Sequence, residues 1–142
     1  PDELYADAKP ISQGHITVRT VSTPGHTPGC TSMFFDVTDK NGRTLKCGIH
    51  GGVGLNTLNR EYFEEKRQPV SLRDEFIEGL KKLDKMDVDI CLPSHTNQVG
   101  ILQLVPQISG DHNPFIDPSI WHELMNERLE RVYALIEKEK TI

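Results

Sequence analysis

The sequence has no long apolar run, no paired cysteines and no basic stripe, and each absence excludes a class of protein. No segment approaches the ~20 uninterrupted apolar residues that a membrane-spanning helix needs, so the 142 residues are expected to form one soluble domain. The three cysteines are an odd number without a CxxC pair, which argues against both a disulfide framework and a cysteine zinc site. With 21 acidic residues against 16 basic ones and no basic stripe, nucleic acid is not expected as a partner.

The first ten residues, P-D-E-L-Y-A-D-A-K-P, also lack the features of a signal peptide. They contain no initiator Met, no basic start and no apolar core. Such a beginning is typical of an internal cut in a longer protein.

Two segments in the first half alternate apolar and polar residues as strands do. Residues 15–21, H-I-T-V-R-T-V, predict a strand that runs into the loop T-P-G-H-T-P-G. Residues 30–37 and 44–50 predict a hairpin around Asn41-Gly42, a dipeptide typical of type I′ turns, in which both central residues have positive φ.

The second half predicts two helices and one short strand. A helix is expected from Ser71, which would serve as its N-cap, with apolar residues on one face. Residues 88–92, V-D-I-C-L, predict a buried strand that delivers S-H-T-N to its end. Asp117 can cap and Pro118 can open a long final helix whose apolar stripe is Trp121, Met125, Leu129, Val132 and Ile136.

Two of the six histidines, His26 and His95, share one context, because each follows a predicted strand and sits in a loop with Pro, Gly, Ser or Thr. Loops at the ends of a rigid sheet are where metal ligands and catalytic residues are commonly mounted, and a neutral imidazole is a good zinc ligand. A lone histidine is nevertheless more often a surface or hydrogen-bonded residue than a ligand. The roles of His50 and His112 stay open, while His15, in a predicted strand, and His122, in a predicted helix, are interpreted as structural.

The whole order of these features resembles the C-terminal half of the metallo-β-lactamase fold. In that family a G-H-T-x-G turn supplies a histidine of the first metal site, and residues 25–29 match it without a gap. A histidine after a late short strand belongs to the second metal site and matches His95. The tail, G-D-H-N-P-F followed by a long helix, is similar to the third subclass of metallo-β-lactamases.

The resemblance implies an α/β fold, half of an αβ/βα sandwich with a mostly antiparallel sheet, a hairpin and two main helices on one face. It covers about residues 12 to 139, so residues 1–142 are expected to be a single partial domain. The family's H-x-H-x-D-H signature, which provides the other ligands, is not present in the sequence and would lie upstream. Gly51-Gly52 stand roughly where many members place an aspartate that bridges two metals, although the third subclass also lacks that aspartate.

The function that the resemblance implies is metal-dependent hydrolysis of a β-lactam or a related cyclic amide, ester or thioester. Zinc is the expected cofactor, with His26 and His95 as metal ligands, and no residue of the sequence is an evident catalytic acid. The isolated chain is expected to be inactive and to associate with itself or with the N-terminal half. The alternative is a non-catalytic binding domain with a degenerate metal site. Location stays open: periplasmic or secreted for a true β-lactamase, cytoplasmic otherwise.

Overall fold

The computed structural model describes residue 6 and residues 9–141, which form a five-stranded sheet covered on one face by helices. The strands lie in chain order across the sheet, β1-β2-β3-β4-β5. The first four are antiparallel neighbours, and β5 runs parallel to β4. Their bounds are β1 Ile11–Gln13, β2 Ile16–Ser22, β3 Thr31–Thr38, β4 Thr44–Ile49 and β5 Ile90–Cys91.

The predicted hairpin is confirmed, but its turn is not of type I′. Gly42 has φ 79°, whereas Asn41 is not among the residues with positive φ. The Asp39 carboxylate accepts hydrogen bonds from the backbone N–H groups of Asn41 and Arg43, at 2.9 Å each. This side chain closes a five-residue loop between the paired Thr38 and Thr44, so a two-residue turn is not needed.

The described residues also form four helices, two of which are long. They are α1 Arg60–Lys66, α2 Ser71–Leu83, α3 Ile101–Leu104 and α4 Pro118–Lys140, and a 3-10 turn at Val105–Gln107 follows α3. Asp117 caps α4 as expected, since its side chain accepts from the Ser119 N–H. The expectation that Ser71 caps α2 is wrong, because Pro69 and Val70 already accept helical hydrogen bonds from Leu72 and Arg73.

The two long helices pack on the same face of the sheet and enclose the core. Trp121 of α4 is fully buried, lies with its ring centroid 5.7 Å from that of Phe34 of β3, and donates its indole N–H to the Leu83 carbonyl of α2. All three cysteines are buried and free, as expected for small apolar residues. None of the described helices is long and apolar enough to cross a membrane.

The opposite face of the sheet is apolar and open. Cross-strand pairing places Thr20 beside Met33, and alternation then puts four large exposed side chains on this face: Ile11, Ile16, Met33 and Val37. An exposed apolar face of this kind marks a surface that another protein segment can cover.

Thr20 on this face carries a hydroxyl that is buried and has no hydrogen-bond partner in the described part of the chain. Valine has nearly the same shape without the polar atom. Thr20→Val is therefore expected to raise the free energy of unfolding by about 1 kcal/mol, because an unsatisfied buried hydroxyl is removed. Urea unfolding measures the change, and a loss of stability would show that the hydroxyl has a partner outside the described residues.

Candidate functional site

The turn that carries His26 is held by short hydrogen bonds on both sides of the histidine. The Thr23 N–H donates to the Cys30 carbonyl at 2.9 Å, which closes the turn where β2 ends and β3 begins. Gly25, at φ 149°, lies so close to Phe76 that a Cβ there would stand 2.5 Å from the Phe76 Cβ. Only glycine meets both demands, and the turn is fixed to α2 as a result.

The imidazole of His26 is held in one tautomer. Its Nδ1 lies 2.9 Å from the Gly54 carbonyl oxygen and 3.1 Å from the Thr57 hydroxyl. A carbonyl only accepts, so Nδ1 must carry the proton and donate it. The Thr57 hydroxyl in turn donates to the His26 carbonyl at 2.7 Å. The neutral ring therefore presents the lone pair of Nε2, which is the arrangement found in metal-binding histidines.

The glycine loop at residues 51–54 lies against the His26 ring. A Cβ on Gly52 would stand 2.8 Å from the His26 Cδ2, and one on Gly54 would stand 2.9 Å from the Cε1. The sequence showed only that the backbone approaches something closely here. The structure identifies that neighbour as the imidazole of His26.

His95 lies in the loop after β5, and this loop is tied to the end of β4. The Ser94 hydroxyl donates to the His50 carbonyl at 3.2 Å, and the Gln98 N–H donates to the His95 carbonyl at 3.1 Å. Val99, with φ 48°, occupies a left-handed conformation that is rare for a β-branched residue. The His95 side chain is exposed.

The sheet topology brings the two predicted ligands to one edge. Strands β2 and β4 run in the same direction because each is antiparallel to β3, and β5 is parallel to β4. The loops after these three strands therefore emerge at one end of the sheet. His26 and His95 line the same cavity there, with a volume of about 580 Å³.

A third histidine, His50, is buried at this edge, a position that the sequence left open. Its Nδ1 accepts from the Gly52 N–H at 3.0 Å, so the neutral ring carries its proton on Nε2. That Nε2 is buried and has no partner among the described residues. Burial, with smaller contributions from His26 and Arg128, lowers the pKa of His50 to about 4.

Two arginines of α4, Arg128 and Arg131, also line the cavity, and sequence reasoning missed them. They adjoin Leu129 and Val132 of the apolar stripe of the helix. Their spacing of three residues, which places both on one side of a helix, was the available signal.

The other histidines lie elsewhere. His15 sits in the turn between β1 and β2, so its expected place in a strand is wrong. His122 Nδ1 lies 2.9 Å from an Asp84 carboxylate oxygen, which agrees with a structural role. His112 is exposed in a short turn with Ser109. None of the three is among the residues that line the His26–His95 cavity.

A complete metal site is not formed by the residues that the structure describes. Among them no group of three or more His, Cys, Asp and Glu side chains could hold a metal ion. The tautomer of His26 suits a metal ligand. Of the predicted ligands, however, the described chain supplies only the imidazoles of His26 and His95. Zinc sites usually need three or four protein ligands.

Similarity to known proteins is short at the level of sequence and extends over nearly the whole chain at the level of structure. No family model matches the sequence. Over 35 residues, 25% of this chain and 12% of the relative, it is 43% identical to Glyoxylase B2 of Dictyostelium discoideum.

Solved structures match nearly the whole chain. BJP-1, a subclass B3 metallo-β-lactamase of Bradyrhizobium japonicum, superposes with a TM-score of 0.84 at 23% identity, covering 99% of this chain and 52% of that structure. The FEZ-1 metallo-β-lactamase from Legionella gormanii gives a TM-score of 0.81 at 25% identity, covering 96% and 51%. This chain spans about half the length of both, and it has the fold of the metallo-β-lactamase superfamily.

Proposed function

We propose that this chain forms the C-terminal half of a metal-dependent hydrolase, in which His26 is a zinc ligand at the first metal position and His95 at the second. The observation that carries the proposal is the hydrogen bonding of His26, whose Nδ1 donates to Gly54 and leaves Nε2 free. The likeness to subclass B3 metallo-β-lactamases supports it. The remaining ligands would come from an N-terminal half that also covers the open sheet face.

In this proposal the residues around His26 position that ligand and do not transfer protons. The carbonyl of Gly54 and the hydroxyl of Thr57 orient the His26 ring, and the glycine loop prevents the ring from turning. When bound, zinc would supply a hydroxide at neutral pH and polarise the bond to be cleaved. The proposed class of substrate, a β-lactam or a related cyclic amide, ester or thioester, is supported by the likeness to the family alone, since a fold does not by itself determine the substrate.

A second candidate function is a non-catalytic binding domain. The glycines at positions 51 and 52, where many members of the family place a metal-bridging aspartate, favour it. The two candidates differ in the coding sequence upstream. An H-x-H-x-D-H segment there supports the hydrolase, and its absence supports the binding domain.

The isolated chain is suited to a direct test of its share of the site. We expect purified residues 1–142 to hydrolyse neither a β-lactam nor a thioester and to bind zinc weakly by calorimetry, because two imidazoles make an incomplete site. Clear turnover by the chain alone would contradict the proposal that the ligands are divided. Pairing with the N-terminal half should restore both tight binding and hydrolysis.

Thr57→Val tests the role of the His26 ring. The variant keeps the shape of the side chain but removes the hydroxyl that contacts both Nδ1 and the backbone carbonyl of His26. We expect zinc affinity to fall about tenfold, the usual effect of losing a partner that orients a metal-binding histidine. Calorimetry measures the affinity, and long-range ¹⁵N NMR of the imidazole reports the tautomer.

Thr20→Val is the matched control, since it makes the same substitution at another buried threonine, which lies in β2 and makes no contact with the His26 ring. It should leave zinc affinity and the His26 tautomer unchanged. If both variants weaken zinc binding equally, the effect belongs to the fold and His26 is not oriented by Thr57.

A further inference from the structure

The cavity shared by His26 and His95 is lined by cationic and neutral polar groups. Its lining includes Arg128 and Arg131, the side chains of Asn56, Asn97 and Gln98, and no carboxylate among the described residues. A cavity with this lining has a positive potential, which attracts anions and strengthens their binding where water is partly excluded.

Arg128 projects into this edge from α4 with a partly unsatisfied guanidinium. Its side chain is only 13% exposed, compared with 56% for Arg131. The Nε–H group of Arg128 is buried and forms an ion pair with Glu127, whose Oε2 lies 3.0 Å away, but it makes no aligned hydrogen bond with the described residues. A buried charged donor that lacks an aligned hydrogen bond is stabilised when a ligand supplies one.

Glu127 is the carboxylate that lies close to both arginines, and it does not neutralise them. Its Oε1 lies 3.1 Å from Arg131, so one half-exposed carboxylate faces two guanidinium groups. Burial lowers the pKa of Arg128, Glu127 raises it, and Arg131 lowers it again. The pair of arginines therefore keeps a net positive charge beside the two histidines.

We propose that Arg128, with Arg131 beside it, binds an oxyanion group, a carboxylate or a phosphate, of a small organic ligand in the His26–His95 cavity. The planar guanidinium fork matches both oxyanions, and it binds them with two parallel hydrogen bonds. The cavity of about 580 Å³ is large enough for a small organic molecule around that group. That the ligand is a substrate rests on the proposed function; that it is an anion does not.

The test is an NMR titration of the metal-free chain with two probe anions, inorganic phosphate and succinate. Metal is removed with a chelating resin, since soluble chelators are themselves polycarboxylates. We expect the Arg128 Nε–H signal to shift with saturation, and Arg128→Gln to weaken binding by at least about tenfold. Arg128→Lys keeps the charge but lacks the planar guanidinium group. Its affinity for the anion should therefore lie between those of the native chain and of Arg128→Gln.

Lys138→Gln is the matched control. Lys138 lies on the same helix and its replacement removes the same charge, but it lines a different cavity. Arg131→Gln, at an exposed position, is a second variant whose fold is at little risk. The probe that binds with the higher affinity identifies the oxyanion as a carboxylate or a phosphate.

Equal weakening by Arg128→Gln and Lys138→Gln would overturn the proposal, because binding would then follow net charge alone. No saturable shift with either probe, in a chain with well-dispersed amide signals, would overturn it as well. Because the titration contains no metal, its failure is distinct from a failure to bind zinc or to hydrolyse substrate. Anion binding by the chain, with neither tight zinc binding nor hydrolysis after pairing with the N-terminal half, would sustain this inference and contradict the proposed function.

Discussion

Lowering the pH from 7 to 4 is expected to reduce the free energy of unfolding by about 3 kcal/mol through His50 alone. Burial, followed by the charges of His26 and Arg128, lowers the pKa of this imidazole from 6.5 to about 4 in the folded chain. In the unfolded chain the ring is solvated and takes up a proton near its ordinary pKa. The unfolded state therefore binds more protons in this window, and stability falls as the pH falls.

The stabilising contribution of His50 is fully present above pH 6.5 and is lost progressively as the pH falls through about 4. The structure explains why the protonated ring is disfavoured. Nδ1 is the acceptor of the Gly52 N–H, so a second proton on the ring would break that hydrogen bond. It would also place a buried positive charge where the described residues offer no acceptor to Nε2.

His50→Gln isolates this effect, because glutamine is polar but does not titrate. Urea unfolding at pH 7, 6, 5 and 4 gives the free energy of unfolding of both proteins. Carboxylates such as Asp39 and Glu139, whose pKa values are also lowered, weaken both proteins in acid alike. The native chain should lose about 3 kcal/mol more than the variant over this range. Parallel curves would show that His50 is not held neutral by burial.

The elements that the sequence predicted correctly are those whose signals are local. The alternation in β2, β3 and β4, the cap at Asp117 and the apolar stripe of α4 each depend on residues close together in the chain. Helix α1 gave no comparable signal, since Phe63 is its one buried residue among those described. The type I′ turn and the Ser71 cap were wrong because a nearby side chain or the preceding turn satisfied the backbone instead.

The candidate site was predictable to the extent that it follows from loop chemistry. Prolines and glycines around His26 indicated a rigid loop, and the structure places His26 and His95 at one cavity. The burial of His50 and the approach of Arg128 depend on how α2 and α4 cross the end of the sheet. No local pattern contains that information. The glycine loop falls between these cases, because its composition indicated a close approach but not the partner.

Gly51→Ala, in the same glycine loop, is expected to lower the free energy of unfolding of the chain by about 3 kcal/mol. A Cβ at Gly51 would stand 2.2 Å from the carbonyl oxygen of Thr31 and 2.8 Å from its backbone nitrogen. These atoms belong to the first residue of β3, so they cannot move aside as the end of a flexible side chain could. Relief of the clash requires the loop or the strand to shift.

The shift would be transmitted to the His26 turn through two hydrogen bonds. The Gly51 N–H donates to the Ser32 hydroxyl at 3.4 Å, and that hydroxyl lies 2.8 Å from the hydroxyl of Thr23 in the His26 turn. Gly29→Ala is the control, because it adds the same methyl group nearby, where a Cβ meets nothing within 4 Å. We expect that control to change stability by less than about 0.5 kcal/mol in urea unfolding. If the two variants were equally stable, the glycine at position 51 would not be required by the approach of Thr31, and the link from this loop to His26 would have to be abandoned.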